Sequence, residues 1–456
     1  MRLGNSRRVV SYTVRRAIAF ALVGSLALAV PTLGRLQEPA YATVAAAGPF
    51  LVVAAFALAV DATNPLFEVF ARPGDRRDGK LYGLAGFALA AAGLSILTVE
   101  FGMPGHVYVA TVLLVAYGNL GDRLVRLARS EEILATAGFV TGGFLAAAGG
   151  GVAALRFAGD PVDVPAVVFL AATGALLGAL LREMLFKRDD PLVMATVGLG
   201  LWLFADLPVE FTASQVGLGL AVSVLLGILA ISLETASLPG MLTGVLLSLL
   251  TVVLGDFGWF AMLVAFFGIG GLASKYRYDE KAVRGIAEEN EAARGTGNVL
   301  ANSLVALVAV LAGAASPELG VSTRVFLFAF AGSIAAALAD TLSSEIGGLY
   351  DNPRLITSFQ VVEPGTDGAI TWQGELAGVA GAAIVAAIAL AGFGTVQTAG
   401  AAVIVAAGIG GMTVDSILGA TIEGRFVGNQ GVNLLATLAA ALLGGGLAVG
   451  FGVAAV

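Results

Sequence analysis

Long apolar runs recur from the first tens of residues to the last, separated by short polar or charged connections. Runs of about 18 or more residues can span roughly 30 Å of hydrocarbon as a helix rising about 1.5 Å per residue. Inside lipid the backbone N–H and C=O groups find no water, so a crossing segment of this kind must be helical to satisfy them. A β-barrel would instead alternate polar and apolar residues over ~10-residue strands, and stretches such as LLATLAAALLGGGLAVG do not alternate. The pattern therefore predicts an all-α, polytopic integral membrane protein, multi-pass in the cell membrane. It predicts about fifteen spans, at 14–34, 44–60, 82–99, 105–118, 134–155, 165–182, 191–207, 216–233, 238–254, 256–273, 297–315, 325–347, 374–393, 398–412 and 432–454.

The basic residues orient this map. With the N-terminus inside, 22 of the 25 Lys and Arg residues fall in cytoplasmic segments, leaving only Arg35, Arg156 and Arg324 outside. Positive residues concentrate on the cytoplasmic side of membrane proteins, so the expected topology is N-terminus cytoplasmic and C-terminus external. The opening MRLGNSRRVVSYTVRR and the apolar AIAFALVGSLALAV after it have the shape of a signal peptide. Without a small-residue cleavage site they are read as a signal anchor. The long charged loops then share the cytoplasmic face, and acidic residues gather at the helix ends beside them.

Composition sharpens the picture. Of 456 residues, 58% are hydrophobic and 12% charged, against roughly a quarter charged in soluble domains; mean hydropathy is +0.91. The absence of cysteine excludes disulfides, thiolate metal sites and cysteine nucleophiles. His106 is the only histidine, and no Walker A sequence, kinase catalytic set or HExxH is present. General-base chemistry would have to use Asp or Glu. A pI near 4.9 with 21 Arg against 4 Lys fits a halophilic archaeal cytoplasm.

The chain is expected to divide into 1–210 and 211–456, and the first half reads either as an eroded copy of the second or as Gly/Ala-rich helices alike by chance. VDATNPLFEVF in the first half stands where ADTLSSEIGG stands in the second, and GNLGDRLVR where VDSILGA stands. Asp61 would match Asp340 and Asp122 would match Asp415. The first copy lacks the Ser-Ser-Glu after its Asp, so chemistry is expected in the second.

Four stretches there could carry it. In Asp340-Thr341-x-x-Ser344-Glu345, helical spacing puts Asp340 and Ser344 on one face and Thr341 and Glu345 one row over. Carboxylates at a membrane rim cost several kcal/mol unless solvated or coordinated, and such hard oxygen ligands suit Mg²⁺. Asp415-Ser416 repeats the Asp-hydroxyl pair beside Gly419 and Ala420, small enough to let the two helices meet. Each pair reads equally well as a solvated helix end. The loop from Lys275 to Asn302 offers Lys275 and Arg294 for phosphate oxygens. Gly295 and Gly297 would let backbone N–H groups approach an anion, and Asn298 and Asn302 stand four apart at a span's start. Its centre reads as a solvated linker. Finally, Pro353-Arg354 to Pro364-Gly365-Thr366-Asp367-Gly368 combines turn chemistry with ITSFQVV, a candidate hairpin arm, and Arg354 could hold a phosphate.

In this order these motifs resemble the transmembrane protein 19 family, which includes the phytyl-phosphate kinases, relatives of the CTP-dependent phytol and dolichol kinases. The matching strings are SLPGMLTGVLLSLLTVVLGDFGWFAMLVAFFGIGGLASKYR, AEENEAARGTGNVLANS, ADTLSSEIGGLYDNPRLITSFQVVEPGTDGAITWQGELAG, VDSILGATIEGRF and NQGVNLLATL, over roughly 215–456. The loop GRFVGNQGVN is shorter and less charged than the family commonly carries.

The resemblance implies phosphoryl transfer from a nucleoside triphosphate, CTP by analogy, to an isoprenoid monophosphate in the membrane, with Mg²⁺ as cofactor. Asp340, Glu345 and Asp415 would hold metal or act as base. Lys275, Arg294, Arg354, Asn298 and Asn302 would engage phosphates, and Thr341, Ser344, Thr366 and Ser416 would line the nucleotide site. The implied partners are a membrane prenyl phosphate and a nucleotide, with no nucleic acid; homo-oligomerisation stays open. Two other readings fit the same residues: a transporter or scramblase of a lipid or small anion, and a lipid-phosphate cytidylyltransferase.

Overall fold

The computed structural model describes residues 2–33, 39–184, 189–233, 237–287 and 296–455. Each of the fifteen predicted apolar segments falls on a helix. Among the described residues, twelve helices are both long and apolar enough to cross a membrane, from Thr13–Leu33 to Asn429–Gly450. The difference has physical causes. Gly105–Ala128 is a 24-residue helix whose last turns carry Asp122, Arg123 and Arg126. Asp190–Ala205 and Val299–Ala314 are apolar but shorter.

The chain forms two compact units, Met1–Ala213 and Ser214–Val456. In the first, helix Gly105–Ala128 is the hub. It packs along Glu132–Ala158 and along the N-terminal helix Arg2–Gly24, with Ser25 Oγ 2.9 Å from the Tyr117 hydroxyl.

In the second unit the hub is Thr323–Gly347, buried along most of its length. Around it pack Thr296–Ala314, Trp372–Gly392, Thr398–Thr421 and Asn429–Gly450. Lipid gives apolar helices no hydrophobic reason to associate, so close contact between small residues has to hold them. Gly411 shows how close: a Cβ built there would lie 2.4 Å from the Ala336 Cβ and 2.7 Å from the Ala440 Cβ. Any larger residue would wedge three helices apart.

These helices end in a small polar cap. Arg354–Leu355 pairs antiparallel with Ala369–Ile370, Arg354 opposite Ile370, and a single bridge joins Arg354 to Val361. The expected arm at ITSFQVV is thus mostly turn. The Pro-Gly-Thr-Asp-Gly stretch turns through two left-handed glycines, Gly365 and Gly368. Gly368 lies on the Thr398–Thr421 helix, where a Cβ would stand 2.4 Å from the Ser416 carbonyl oxygen.

Candidate functional site

At the ends of the helices that carry Asp340 and Asp415, the second unit encloses a cavity of about 440 Å³. Its floor is made by two helix ends. Thr323–Gly347 supplies Asp340, and Thr398–Thr421, drawn in by the Gly411 contact, supplies Asp415. The two carboxyls are close enough to share a hydrogen bond, while Asp415 Oδ2 is buried without any hydrogen-bond partner. A buried acceptor left open is costly unless something fills it. Two adjacent carboxylates need a shared proton or a cation between them.

Oxygen donors surround the pair. The Thr341 hydroxyl donates to the Ala337 carbonyl at 2.8 Å, and the Ser344 hydroxyl donates to the Thr341 carbonyl at 3.1 Å. With its proton engaged on its own helix, the Ser344 oxygen keeps lone pairs to offer. Asn302, Ser416 and Thr366 line the same cavity. Its described lining holds five carboxylates, those of Asp340, Glu345, Asp367, Asp415 and Glu423, and no arginine or lysine. Glu423 lies just past the helix end, and burial, then the neighbouring Asp367, push its carboxyl above the usual range.

Most of the residues expected from sequence meet here, but three arrangements differ. Glu345 lines the cavity, yet its Oε2 accepts from Lys281 Nζ at 2.5 Å. Lys275 is exposed at the end of helix Phe257–Lys275, and Arg354 donates to the Phe359 carbonyl at 2.7 Å within the cap; neither lines the cavity. Arg294 lies outside the described residues, and Asn298 is described only as part of helix Thr296–Ala314. Among the described residues no group of three or more His, Cys, Asp or Glu side chains could hold a metal ion, so a cation at Asp340 and Asp415 would need further oxygens from its ligand.

Other residues escaped the sequence. Lys281, 2% exposed, donates to the carbonyls of Ala273 and Ser274 at 2.9 and 2.8 Å as well as to Glu345. All three of its donors are used. It closes the C-terminal carbonyls of helix Phe257–Lys275 and ties that helix to the one carrying Asp340. Asn429 and Asn433 also line the cavity, Asn433 only 8% exposed. The available signal was an amide one turn into an apolar helix, at the Asn-Gln-Gly-Val-Asn start of the last span.

In the first unit Asp61 and Asp122, the expected counterparts of Asp340 and Asp415, are held differently. Asp61 is exposed and accepts from the Thr63 amide and hydroxyl, bonds that hold its carboxyl below the ordinary range. Asp122 is buried between Arg123 and Arg126.

A family-model match falls on the unit that holds the cavity. The model of the family described as integral membrane protein DUF92 matches residues 221–441. An uncharacterized membrane protein of Methanocaldococcus jannaschii is 39% identical over 196 residues, covering 41% of this chain and 75% of that protein. One of Synechocystis is 31% identical over 205 residues, 44% of this chain and 76% of that one. Protein VTE6, chloroplastic, of Arabidopsis thaliana is 30% identical over 153 residues, 33% of this chain and 46% of that one. No solved structure gives a significant match. With three-quarters of the archaeal protein matched at this identity, and the family's own pattern running through both Asp-bearing helices, the chain belongs to the DUF92 family of integral membrane proteins.

Proposed function

We propose that the second unit is a membrane kinase that moves the terminal phosphoryl group of a nucleoside triphosphate, CTP by analogy with the dolichol kinases, onto an isoprenoid monophosphate. One observation carries the reading. The cavity at the membrane rim is lined by carboxylates, with Asp340 and Asp415 face to face and one Asp415 oxygen unpartnered. An acidic cavity repels a bare phosphate, but it accepts one that arrives with a divalent cation. The likeness to VTE6 and the resemblance to the phytyl-phosphate kinases support the same assignment.

The donor set fits Mg²⁺, which takes one or two carboxylates and completes its shell with water and phosphate oxygens. Asp340 and Asp415 would hold it, and when bound it would neutralise charge on the transferring group. Glu345 serves instead as the anchor of Lys281. Asn302 and Asn433 donate amide N–H groups to phosphate oxygens without adding charge. An oxygen of the acceptor phosphate attacks the γ-phosphorus, the bond to the β–γ bridging oxygen breaks, and the nucleoside diphosphate leaves. With a monophosphate acceptor the attacking oxygen is already deprotonated near pH 7, so no side chain has to remove a proton. An alcohol acceptor would require one of the Asp pair as base.

The test is a labelled-nucleotide assay with the purified chain. Label from the γ-phosphate should appear in a prenyl diphosphate, dependent on Mg²⁺. Label from the α-phosphate in the lipid instead would make the protein a cytidylyltransferase. Lipid or anion flux into liposomes without nucleotide, with no labelled lipid, would make it a transporter.

A further inference from the structure

The helices Thr323–Gly347, Thr398–Thr421 and Asn429–Gly450 meet at Gly411. A Cβ built there would collide with the Ala336 Cβ and stand 2.7 Å from the Ala440 Cβ and 3.2 Å from the Ala436 carbonyl oxygen. Residues three, four or seven apart share a helix face, so this contact fixes what faces what nearer the cavity. Asp340 stands four residues after Ala336 and Asp415 four after Gly411, while Asn433 stands three before Ala436 and seven before Ala440. Gly332 repeats the register, since a Cβ on it would lie 2.7 Å from the Ala440 carbonyl oxygen. Asp340, Asp415 and Asn433 therefore stand on one level of the three helices, and all three line the cavity.

Asn433 is 8% exposed. Its main-chain carbonyl accepts from the Thr437 hydroxyl at 2.9 Å, but its side-chain amide has no hydrogen-bond partner among the described residues. An amide left open at such a depth is costly. On the same level, Asp415 Oδ2 is buried and also without a partner. An amide N–H and a carboxylate oxygen would ordinarily bond each other, and these two do not, so they bound a space. A small hard cation suits a space walled by two carboxylates and an amide oxygen.

We infer that the Asn433 side-chain oxygen is a third protein donor to a divalent cation at Asp340 and Asp415, which lets the cation lodge there before a nucleotide binds. The inference rests on the proposed function's reading of those two aspartates as cation donors. Mg²⁺ held by one or two carboxylates leaves much of its shell to water and substrate phosphates; a third protein donor favours its retention without them. The amide has two N–H donors besides its oxygen, so Asn433 can hold the cation and still donate to a phosphate oxygen that arrives with the nucleotide.

Mn²⁺ prefers the same oxygen donors as Mg²⁺, and its free ion is counted by electron paramagnetic resonance. The full chain in neutral detergent, without nucleotide, should hold one Mn²⁺ and release it to excess Mg²⁺. Asn433→Leu, close in shape but lacking the oxygen, should bind Mn²⁺ roughly tenfold more weakly or worse. Asn433→Asp restores an oxygen and should bind at least as tightly as wild type. In chelator, Asn433→Leu should melt at or above the wild-type temperature, because it deletes an unpartnered buried amide.

Equal Mn²⁺ affinity in wild type and Asn433→Leu would overturn the third donor, as would an Asn433→Asp variant as weak as Asn433→Leu. So would Asn433→Leu melting well below wild type in chelator, the mark of a strut. Asp340→Asn and Asp415→Asn separate this failure from that of the underlying reading: if both bind Mn²⁺ as wild type does, the cation site itself falls, and the third donor with it. The expected Mn²⁺ pattern in a chain that transfers no phosphoryl group would support the site and remove only the kinase.

Discussion

Replacing Lys281 by Met keeps the aliphatic stem and removes the ammonium. Three acceptors then lose their donor at once: the Ala273 and Ser274 carbonyls and the Glu345 carboxylate, whose side chain is 9% exposed. Stranding one partner of a buried ion pair costs about 3–5 kcal/mol. At about 2–4 °C per kcal/mol for a unit of this size, the melting temperature should fall by roughly 6–20 °C. Because Lys281 also fixes the loop whose Gly285–Ala287 segment walls the cavity, nucleotide affinity should fall with it. Replacing both partners, Lys281→Met with Glu345→Leu, removes the stranded charge and should recover about half the loss or more, leaving the two carbonyls uncapped. The assay is thermal melting of the detergent-purified single and double variants. A single variant within about 1 kcal/mol of wild type, or a double variant as unstable as the sum of the singles, would refute the tether.

Three further outcomes follow from the same geometry. Gly368→Ala forces an L-residue to φ +73° and drives its Cβ toward the Ser416 carbonyl oxygen; it should cost about 1–3 kcal/mol, read by melting, and weaken nucleotide binding. For Glu423, whose carboxyl is raised by burial and Asp367, the stabilising neutral form is fully present below its ordinary value of 4.5 and lost as pH rises through the raised value. Glu423→Gln should therefore gain melting temperature over wild type at pH 7.5 relative to pH 4 in chelator; an equal difference at both pH values would contradict this. Topology reporters fused after residues 285 and 360 should be cytoplasmic and one after Val456 external, and all three on one side would sink the orientation.

Much of this was legible in the chain because a bilayer simplifies the problem. Runs such as AAIVAAIALAG admit a helix and little else in lipid, so each apolar segment is one. The Asp340 and Asp415 pairings were legible too, since the same Asp-hydroxyl unit at two helix ends, flanked by Gly and Ala, marks ends able to approach. Lys281 was not. In DEKAVRG it looks like any solvated loop residue, and only the return of the chain over Ser274 and Glu345 buries it. Arg354 misled for the opposite reason. It stands close in sequence to Asp340–Glu345, but a local turn offers the Phe359 carbonyl first. Asn433 could have been read from the cost of an amide inside an apolar helix. Glu423 and Asp367 meet only through the glycine turn, which spacing along the chain does not show.

The central claim is that Asp340 and Asp415 share one cation–nucleotide site. Single-turnover phosphoryl transfer to a prenyl monophosphate, measured for wild type, Asp340→Asn and Asp415→Asn across a Mg²⁺ titration, tests it most directly. Each isosteric change keeps the fold and removes an anionic oxygen that stabilises the transition state. Each variant should melt like wild type and react about 10²–10³-fold more slowly, a loss of about 3–4 kcal/mol, with the Mg²⁺ requirement shifted to higher concentration. Folded variants that turn over at near wild-type rate with an unchanged Mg²⁺ dependence would contradict the account and leave the two aspartates as solvated helix ends.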